Sequence, residues 1–130
     1  MSYKLDNCEF NAALNLNADY RYNYFITHVK KGIEVFILKS NEEVLFLETT
    51  DNKEAARVLP IWCHERYAQH YAESYLKDSG YKPQSISLAV FIEKWIPQLQ
   101  NADVEFAVFP LNTEDDCNIA TPDDFLKDLL

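Results

Sequence analysis

Val58-Leu59-Pro60-Ile61-Trp62 is the segment that decides the fold of this 130-residue chain. A related block, Phe91-Ile92-Glu93-Lys94-Trp95-Ile96-Pro97, also sets a tryptophan beside a proline. Because proline cannot donate to a strand ladder, the strand Ala55–Leu59 is predicted to end at Pro60. We interpret Trp62 and Trp95 as core anchors at the ends of regular elements, where a buried indole N–H needs an acceptor.

The chain before this segment is predicted to hold two helices and a hairpin. Asn17 can cap a helix of regularly spaced apolar residues, and Gly32 supplies a left-handed residue that ends it. A fainter helical pattern precedes it, over Cys8–Leu16. Ile33–Leu38 and Val44–Thr50 are rich in β-formers and are separated by a polar turn, so they predict an antiparallel hairpin.

The chain after this segment is predicted to be helical at first. Cys63–Leu76 carries an apolar stripe at helical spacing, and Ser79–Pro83 breaks it. Ser87 can cap the clearest amphipathic helix, which reaches Leu99. Pro97 lies inside that helix and removes one hydrogen bond, so a kink or an early end is expected.

Two strands and a helix complete the chain. Val104–Phe109 is a predicted strand stopped by Pro110, and Cys117–Ala120 is a short one. Thr121 then caps a final helix. The predicted order is α-α-β-β-β-α-α-β-β-α in a single domain, residues 1–130. Since the strands fall into antiparallel runs, we predict an α+β fold with a single antiparallel sheet of about five strands packed against helices.

The charge balance narrows the choice of partners. The chain has 12 basic and 21 acidic residues, a net charge of −9. Such a surface repels nucleic-acid phosphates and anionic lipids, so neither nucleic acid nor a membrane is an expected partner. A basic protein partner and a homodimer stay open.

The composition also bears on compartment and cofactor. The three cysteines are widely spaced, which is typical of reduced thiols in a cytoplasmic protein. The N-terminus has no apolar core like that of a signal peptide, and no apolar stretch is long enough to span a membrane. With two glycines in the chain, a glycine-rich phosphate loop is excluded, and no cofactor is predicted.

Four blocks carry a resemblance to a known family. They are Tyr20–Phe25, Leu59–Trp62, Phe91–Pro97 and Val108–Pro110. Together they resemble the blocks of a small bacterial family, domain of unknown function 2750, from about Asn15 to the C-terminus. The resemblance implies a short single-domain protein, and it supplies no activity, ligand or catalytic residue.

Cys63 and His64, at the start of a predicted helix, are candidate binding residues, and their adjacency suggests a reactive pair. A thiol at a helix start ionises more readily, but adjacent helical residues point about 100° apart, so the two side chains do not face each other. His64 and His70 stand six residues apart, whereas helical metal pairs favour three or four. No catalytic residue and no metal ligand is therefore assigned.

The remaining candidate binding residues are acidic or aromatic. Asp115 and Asp116 lie in the most acidic stretch and are the first choice for contact with a basic partner. Tyr20, Tyr24 and His28 follow at one-turn spacing and could line a groove or a dimer contact.

These observations favour a non-enzymatic protein-binding module. A specific version is an antagonist or immunity-like protein that neutralises a basic partner. The alternative is a small-molecule-binding protein or enzyme with a pocket lined by tyrosines and Trp62. An enclosed apolar pocket with convergent Tyr24, His28 or Cys63 would favour that alternative, and a shallow surface would favour the module.

Overall fold

The computed structural model describes residues 6–41, 43–49, 56–77, 80–111 and 117–129. The elements in chain order are α1 (Asn7–Leu14), α2 (Ala18–Gly32), β1 (Glu34–Ser40), β2 (Glu43–Val44), β3 (Leu47–Thr49), β4 (Ala56–Ile61), α3 (Glu65–Tyr75), β5 (Lys82–Ser87), α4 (Leu88–Val90), a π-helical turn (Phe91–Trp95), α5 (Ile96–Asn101), β6 (Glu105–Val108), β7 (Asn118–Ala120) and α6 (Pro122–Leu129). Within these residues, no helix has the length and apolar character needed to cross a membrane.

The strands form two sheets. A three-stranded antiparallel sheet has the order β2-β1-β5, and a four-stranded sheet has the order β3-β4-β6-β7. In the larger sheet β4 and β6 run parallel, and the two outer pairs are antiparallel. The α+β prediction is therefore confirmed, and the prediction of a single antiparallel sheet is wrong.

Trp62 joins the two sheets. Its backbone forms an isolated antiparallel bridge with Phe36 of β1, and each N–H donates to the other's carbonyl at 2.9 Å. Trp62 follows directly on β4, so a single bridge links the central strand of the small sheet to the large one. The segment Val58–Trp62 thus connects the two sheets.

The strand β5, which was not predicted, explains much of the difference between the predicted single sheet and the two sheets observed. It pairs with β1 over six residues, from Glu34↔Ser87 to Lys39↔Lys82. Its sequence, Lys-Pro-Gln-Ser-Ile-Ser, has one large apolar residue and a proline, which is a turn-like composition. The predicted hairpin exists only at its tip, because β1 and β2 pair at two positions before the chain leaves for the other sheet.

Pro60 does not end its strand as predicted. It lies within β4 and pairs with Ala107 of β6. The β3–β4 register ends at Leu47↔Val58, so β3 does not pair with β4 at position 60. The N–H that proline lacks is therefore not needed for a bond to β3. A proline with one unpaired side is tolerated there for the same reason as on an edge strand.

Pro97 does not stop its helix, which continues to Asn101. The preceding turn, Phe91–Trp95, widens to a π-helix, and the Ile96 N–H donates to the Phe91 carbonyl. The shift places Pro97 in the first turn of α5, where the missing N–H has no helical partner to lose. The Ser87 cap is confirmed, since its hydroxyl accepts from the Val90 N–H at 3.3 Å.

Helix α2 ends one residue later than predicted. Gly32 is its last residue, and Ile33 adopts the left-handed conformation with φ of 55°. The Ile33 N–H still donates to the Val29 carbonyl at 2.8 Å, so the cap geometry forms without glycine. The predicted caps Asn17 and Thr121 are both present, accepting from Tyr20 and Asp124.

A cluster of phenylalanines forms the core between α2, α6 and the larger sheet. Phe106 of β6 lies 5.4 Å from Phe91 and 4.9 Å from Phe125, between ring centroids, and Phe25 lies 5.7 Å from Phe125. All four are fully buried. Such contacts between rings stabilise a core beyond the area that they bury.

Candidate functional site

A network of polar side chains joins α1, α2 and α3. The Tyr24 hydroxyl donates to the Glu9 carboxylate at 2.6 Å and lies 2.7 Å from the Tyr67 hydroxyl. Because the single Tyr24 proton goes to Glu9, Tyr67 is the donor to Tyr24. His28 lies beside them, with its ring 4.1 Å from the Tyr24 ring and its Nε2 3.7 Å from Glu9. We call these four residues the Tyr24–Tyr67 network.

Phe10 and Asn7 of α1 hold this helix against α3, through contacts with Tyr67 and Arg66. The Phe10 ring stacks on the Tyr67 ring at 5.3 Å and 8°. The Arg66 guanidinium lies 4.3 Å from the Phe10 centroid and also donates to Asn7 at 2.9 Å. A cation over an aromatic face contributes about 0.5–1 kcal/mol at an exposed site.

Burial sets the protonation of the network. It raises the pKa of Tyr67 above its ordinary value of 10.0; the hydrogen bond with Tyr24 acts to lower that pKa, and the Glu9 carboxylate acts to raise it. Burial also lowers the pKa of His28 from its ordinary value of 6.5, although the nearby Glu9 carboxylate opposes this. His28 is therefore neutral at pH 7, and Tyr67 keeps its proton.

Trp62, Cys63 and His64 all lie inside the protein. The Trp62 indole N–H donates to the Pro110 carbonyl at 3.1 Å, and its ring lies 5.2 Å from Tyr71. Cys63 is 3% exposed and His64 is 7% exposed. His64 is the N-cap of α3, where its Nδ1 accepts from the Arg66 N–H at 3.1 Å. The imidazole thus serves the helix end, and the thiol is shielded from solvent.

The other predicted binding residues are separate from this network. Tyr20 is 62% exposed on α2, so the predicted row of Tyr20, Tyr24 and His28 is brought together only in its last two members. Asp115 and Asp116 lie outside the described residues.

Arg21 is a buried residue that sequence reasoning missed. It is 3% exposed, and its Nε donates to the Phe109 carbonyl at 3.1 Å and its Nη1 to Leu16 at 2.7 Å. Phe109 is itself left-handed, with φ of 56°, which is rare for a bulky residue. Arg21 stands four residues before Phe25 on the core stripe, and that spacing was the available signal.

An open cleft lies beside the network, on the exposed flank of α3. It has a volume of about 660 Å³. We call it the α3 cleft and define it by its lining: Phe10, Glu65, Arg66, Gln69, His70, Glu73, Lys82 and Pro83. Phe10 and Arg66 therefore line the cleft and also attach α1 to α3.

Comparison with known proteins adds a family. The family model described as "Protein of unknown function (DUF2750)" matches residues 22–129. The chain belongs to this family. No curated protein and no solved structure matches the chain. The match covers α3, most of α2 and every lining residue of the α3 cleft except Phe10, because α1 precedes it.

Three of the blocks that resemble DUF2750 meet in space. Trp62 bonds to Pro110, and the Phe109 ring lies 6.1 Å from Tyr24 and 4.6 Å from Tyr67. Three of the four blocks thus meet at the Tyr24–Tyr67 network, whereas Phe91 of the fourth block packs against Phe106 and Phe125. The three blocks fix the positions of α2 and α3, which carry the two tyrosines.

The side chains of the Tyr24–Tyr67 network and of the α3 cleft are polar, charged and aromatic. Neither the α3 cleft nor a second cleft of about 420 Å³ beside β1, β5 and Trp95 is lined by Tyr24, His28 or Cys63. In the described part of the chain, no group of three or more His, Cys, Asp or Glu side chains is arranged to hold a metal ion.

Proposed function

We propose that this chain is a non-enzymatic protein-binding module that recognises a protein partner through the α3 cleft. The observation that carries the proposal is the nature of that cleft. It is open to solvent, it has Phe10 and Pro83 as apolar contacts, and it carries charged side chains of both signs. Aromatic and arginine side chains are enriched in interface cores, and a polar rim is typical of such surfaces.

An open cleft favours a protein over a small molecule. Small-molecule sites commonly bury most of the ligand surface in an enclosed pocket with convergent polar groups. The α3 cleft is not enclosed, and Cys63 and His64 are buried and do not line it. These features support binding of a macromolecular surface more than turnover of a substrate.

The charge of the chain suggests a basic partner. A net charge of −9 raises the rate of encounter with a positive surface at low salt. Glu65 and Glu73 stand two turns apart on the cleft side of α3 and can contact basic side chains of that partner. Asp115 and Asp116 are proposed as further contacts for it. An antagonist that neutralises a basic protein is the specific version of this proposal.

Site-specific photo-crosslinking in native cells tests the proposal. A benzophenone amino acid is placed at Gln69 in the cleft or, as the control, at exposed Gln98 on α5. A protein crosslinked from position 69 alone is then purified, and its affinity for the wild-type chain is measured. Detection of one such protein with reproducible 1:1 binding is the expected result.

A matched pair of charge reversals completes this test. Glu73→Lys changes the cleft, and Glu93→Lys makes the same charge change at an exposed position outside it. We expect Glu73→Lys to weaken binding about tenfold, or about 1.4 kcal/mol, and Glu93→Lys to leave it within about twofold. Equal losses would show attraction by net charge alone. Failure of purified partner and chain to bind at all would sink the proposal.

A further inference from the structure

Helix α1 covers a surface to which it is weakly attached. Of its eight residues, only Ala13 is buried. Its contacts with α2 and α3 centre on Glu9 and Phe10, with a hydrogen bond from Arg66 to Asn7 at the first turn. An isolated helix of this length is unstable in water, so α1 depends on these contacts for its helical state.

The surface under α1 is aromatic and polar at once. Tyr67 is 2% exposed, and Phe10 stacks directly on its ring. The hydroxyl of Tyr24 is turned to the Glu9 carboxylate, and the His28 ring lies beside it. Removal of α1 would therefore uncover two tyrosines and a histidine between α2 and α3. Large aromatic groups with a polar end are the groups that dominate protein interfaces.

Helix α2 does not depend on α1 for its start. Asn17 caps α2 by accepting from the Tyr20 N–H at 3.0 Å, and Arg21 donates to the Leu16 carbonyl. The link between the two helices is three residues long, Asn15–Asn17. It can change direction at Asn15 while α2 keeps its cap. The family match begins at Tyr22, so it includes the covered surface but not the cover.

We propose that the α2/α3 surface beneath α1 is a helix-docking groove, that α1 occupies it in the free protein, and that a partner helix bearing a carboxylate followed by an aromatic residue replaces α1. The bound α1 defines the chemistry of this partner. A carboxylate at the Glu9 position accepts from Tyr24, and an aromatic ring at the Phe10 position stacks on Tyr67 beside Arg66.

This inference goes beyond the proposed function, because it requires no ligand in the α3 cleft. The two surfaces share Phe10 and Arg66, so departure of α1 also removes the Phe10 side chain from the lining of the cleft. The attached α1 competes at an effective concentration in the millimolar range, as expected for a short linker. An external helix should therefore bind the wild-type chain weakly.

Peptide binding by the full-length chain tests this proposal. The probe is a fluorescein-labelled peptide with the sequence of residues 6–17, in which Cys8 is replaced by serine. Its affinity is measured by anisotropy for the wild type and for the double variant Glu9→Gln/Phe10→Ala, whose own α1 is loosened. We expect the double variant to bind the probe at least about tenfold more tightly, since its competitor is removed.

Two controls define the docking. A scrambled probe should not bind, and addition of Tyr24→Phe to the double variant should weaken binding because the carboxylate loses its donor. A double variant with wild-type circular dichroism that binds no more tightly than the wild type overturns the proposal. Equal binding of the scrambled probe overturns it as well.

Hydrogen exchange of the wild type gives an independent measurement should the double variant not fold. The amides of Phe10–Leu14 should exchange at least about tenfold faster than those of Phe25–Val29, because α1 opens without the core. Exchange of both segments at the same, globally limited rate would show that α1 is an inseparable part of the fold and would overturn the proposal.

Discussion

Arg21 is a buried charged residue of α2. Its guanidinium is buried and donates to the carbonyls of Phe109 and Leu16. Hydrogen bonds from charged groups contribute about 1.5–3 kcal/mol each, and loss of this donor removes the bond to the buried Phe109 carbonyl.

Replacement of this side chain should therefore be severe. We expect Arg21→Met to lower the free energy of unfolding by about 3 kcal/mol in urea denaturation. Lys30→Met, on an exposed part of the same helix, should change it by no more than about 0.5 kcal/mol. A loss below about 1 kcal/mol for Arg21→Met would contradict the assigned role.

His28 makes the stability of the chain depend on pH. Burial lowers its pKa in the folded state below the ordinary value of 6.5, with Lys31 and His64 acting in the same direction and Glu9 against. The unfolded chain therefore binds more protons than the folded chain as the pH falls below 7, and the free energy of unfolding decreases.

The variant His28→Gln should lack this contribution. Between pH 7 and pH 5 the wild type should lose more stability than the variant, by at most about 1.4 kcal/mol per pH unit for one proton. Urea titrations of both chains across this range measure the difference. Parallel pH profiles would show that His28 keeps its ordinary pKa in the folded state.

The backbone at the C-terminal end of α2 is strained at Ile33. Ile33 is 58% exposed and left-handed, a conformation that costs a residue with a Cβ about 1–2 kcal/mol. Glycine removes that strain but gains entropy in the unfolded chain, which offsets about 0.4–1 kcal/mol.

Ile33→Gly should consequently stabilise the protein by about 0.5–1 kcal/mol in thermal or urea unfolding. Ile119→Gly is the matched control, since Ile119 is 44% exposed in β7 without a positive φ. That substitution should destabilise the protein. Destabilisation of both variants by similar amounts would mean that the Ile33 side chain contributes more than its backbone strain.

The elements differ in how far sequence could predict them. Caps and periodicity are local, so α2, α3 and α6 are found close to their predicted positions. β5 is stabilised by pairing with β1 and by α3 above it, and its own sequence resembles a loop. The parallel pairing of β4 with β6 is a choice of partner that no local pattern contains.

At the scale of the whole molecule, the candidate site shows the same limit. Tyr24 and His28 were grouped correctly because one helical turn brings them together. Glu9 and Tyr67 lie on other helices, and only the fold brings their oxygen atoms to Tyr24. The carboxylate of Glu9 therefore had no signal in the sequence.

The two sheets should unfold as one unit. They are joined at Phe36 and Trp62, and α2 contacts strands of both. In a Trp95→Phe variant the fluorescence reports fully buried Trp62, while circular dichroism reports the helices. We expect both probes to give the same urea midpoint, as in a two-state transition. Separate midpoints would show that the junction at Trp62 and the helices do not unfold together.

The parallel pair of β4 and β6 also sets an order of events in time. Val58 pairs with Glu105, so about 50 residues separate the two strands in the chain, and closing so long a loop is slow. During synthesis, β1 and β5 can pair before β6 has been translated. Until then, β4 lacks its β6 partner, and its apolar side chains are uncovered on that side. This interval is when the nascent chain is most exposed to aggregation and in greatest need of a chaperone.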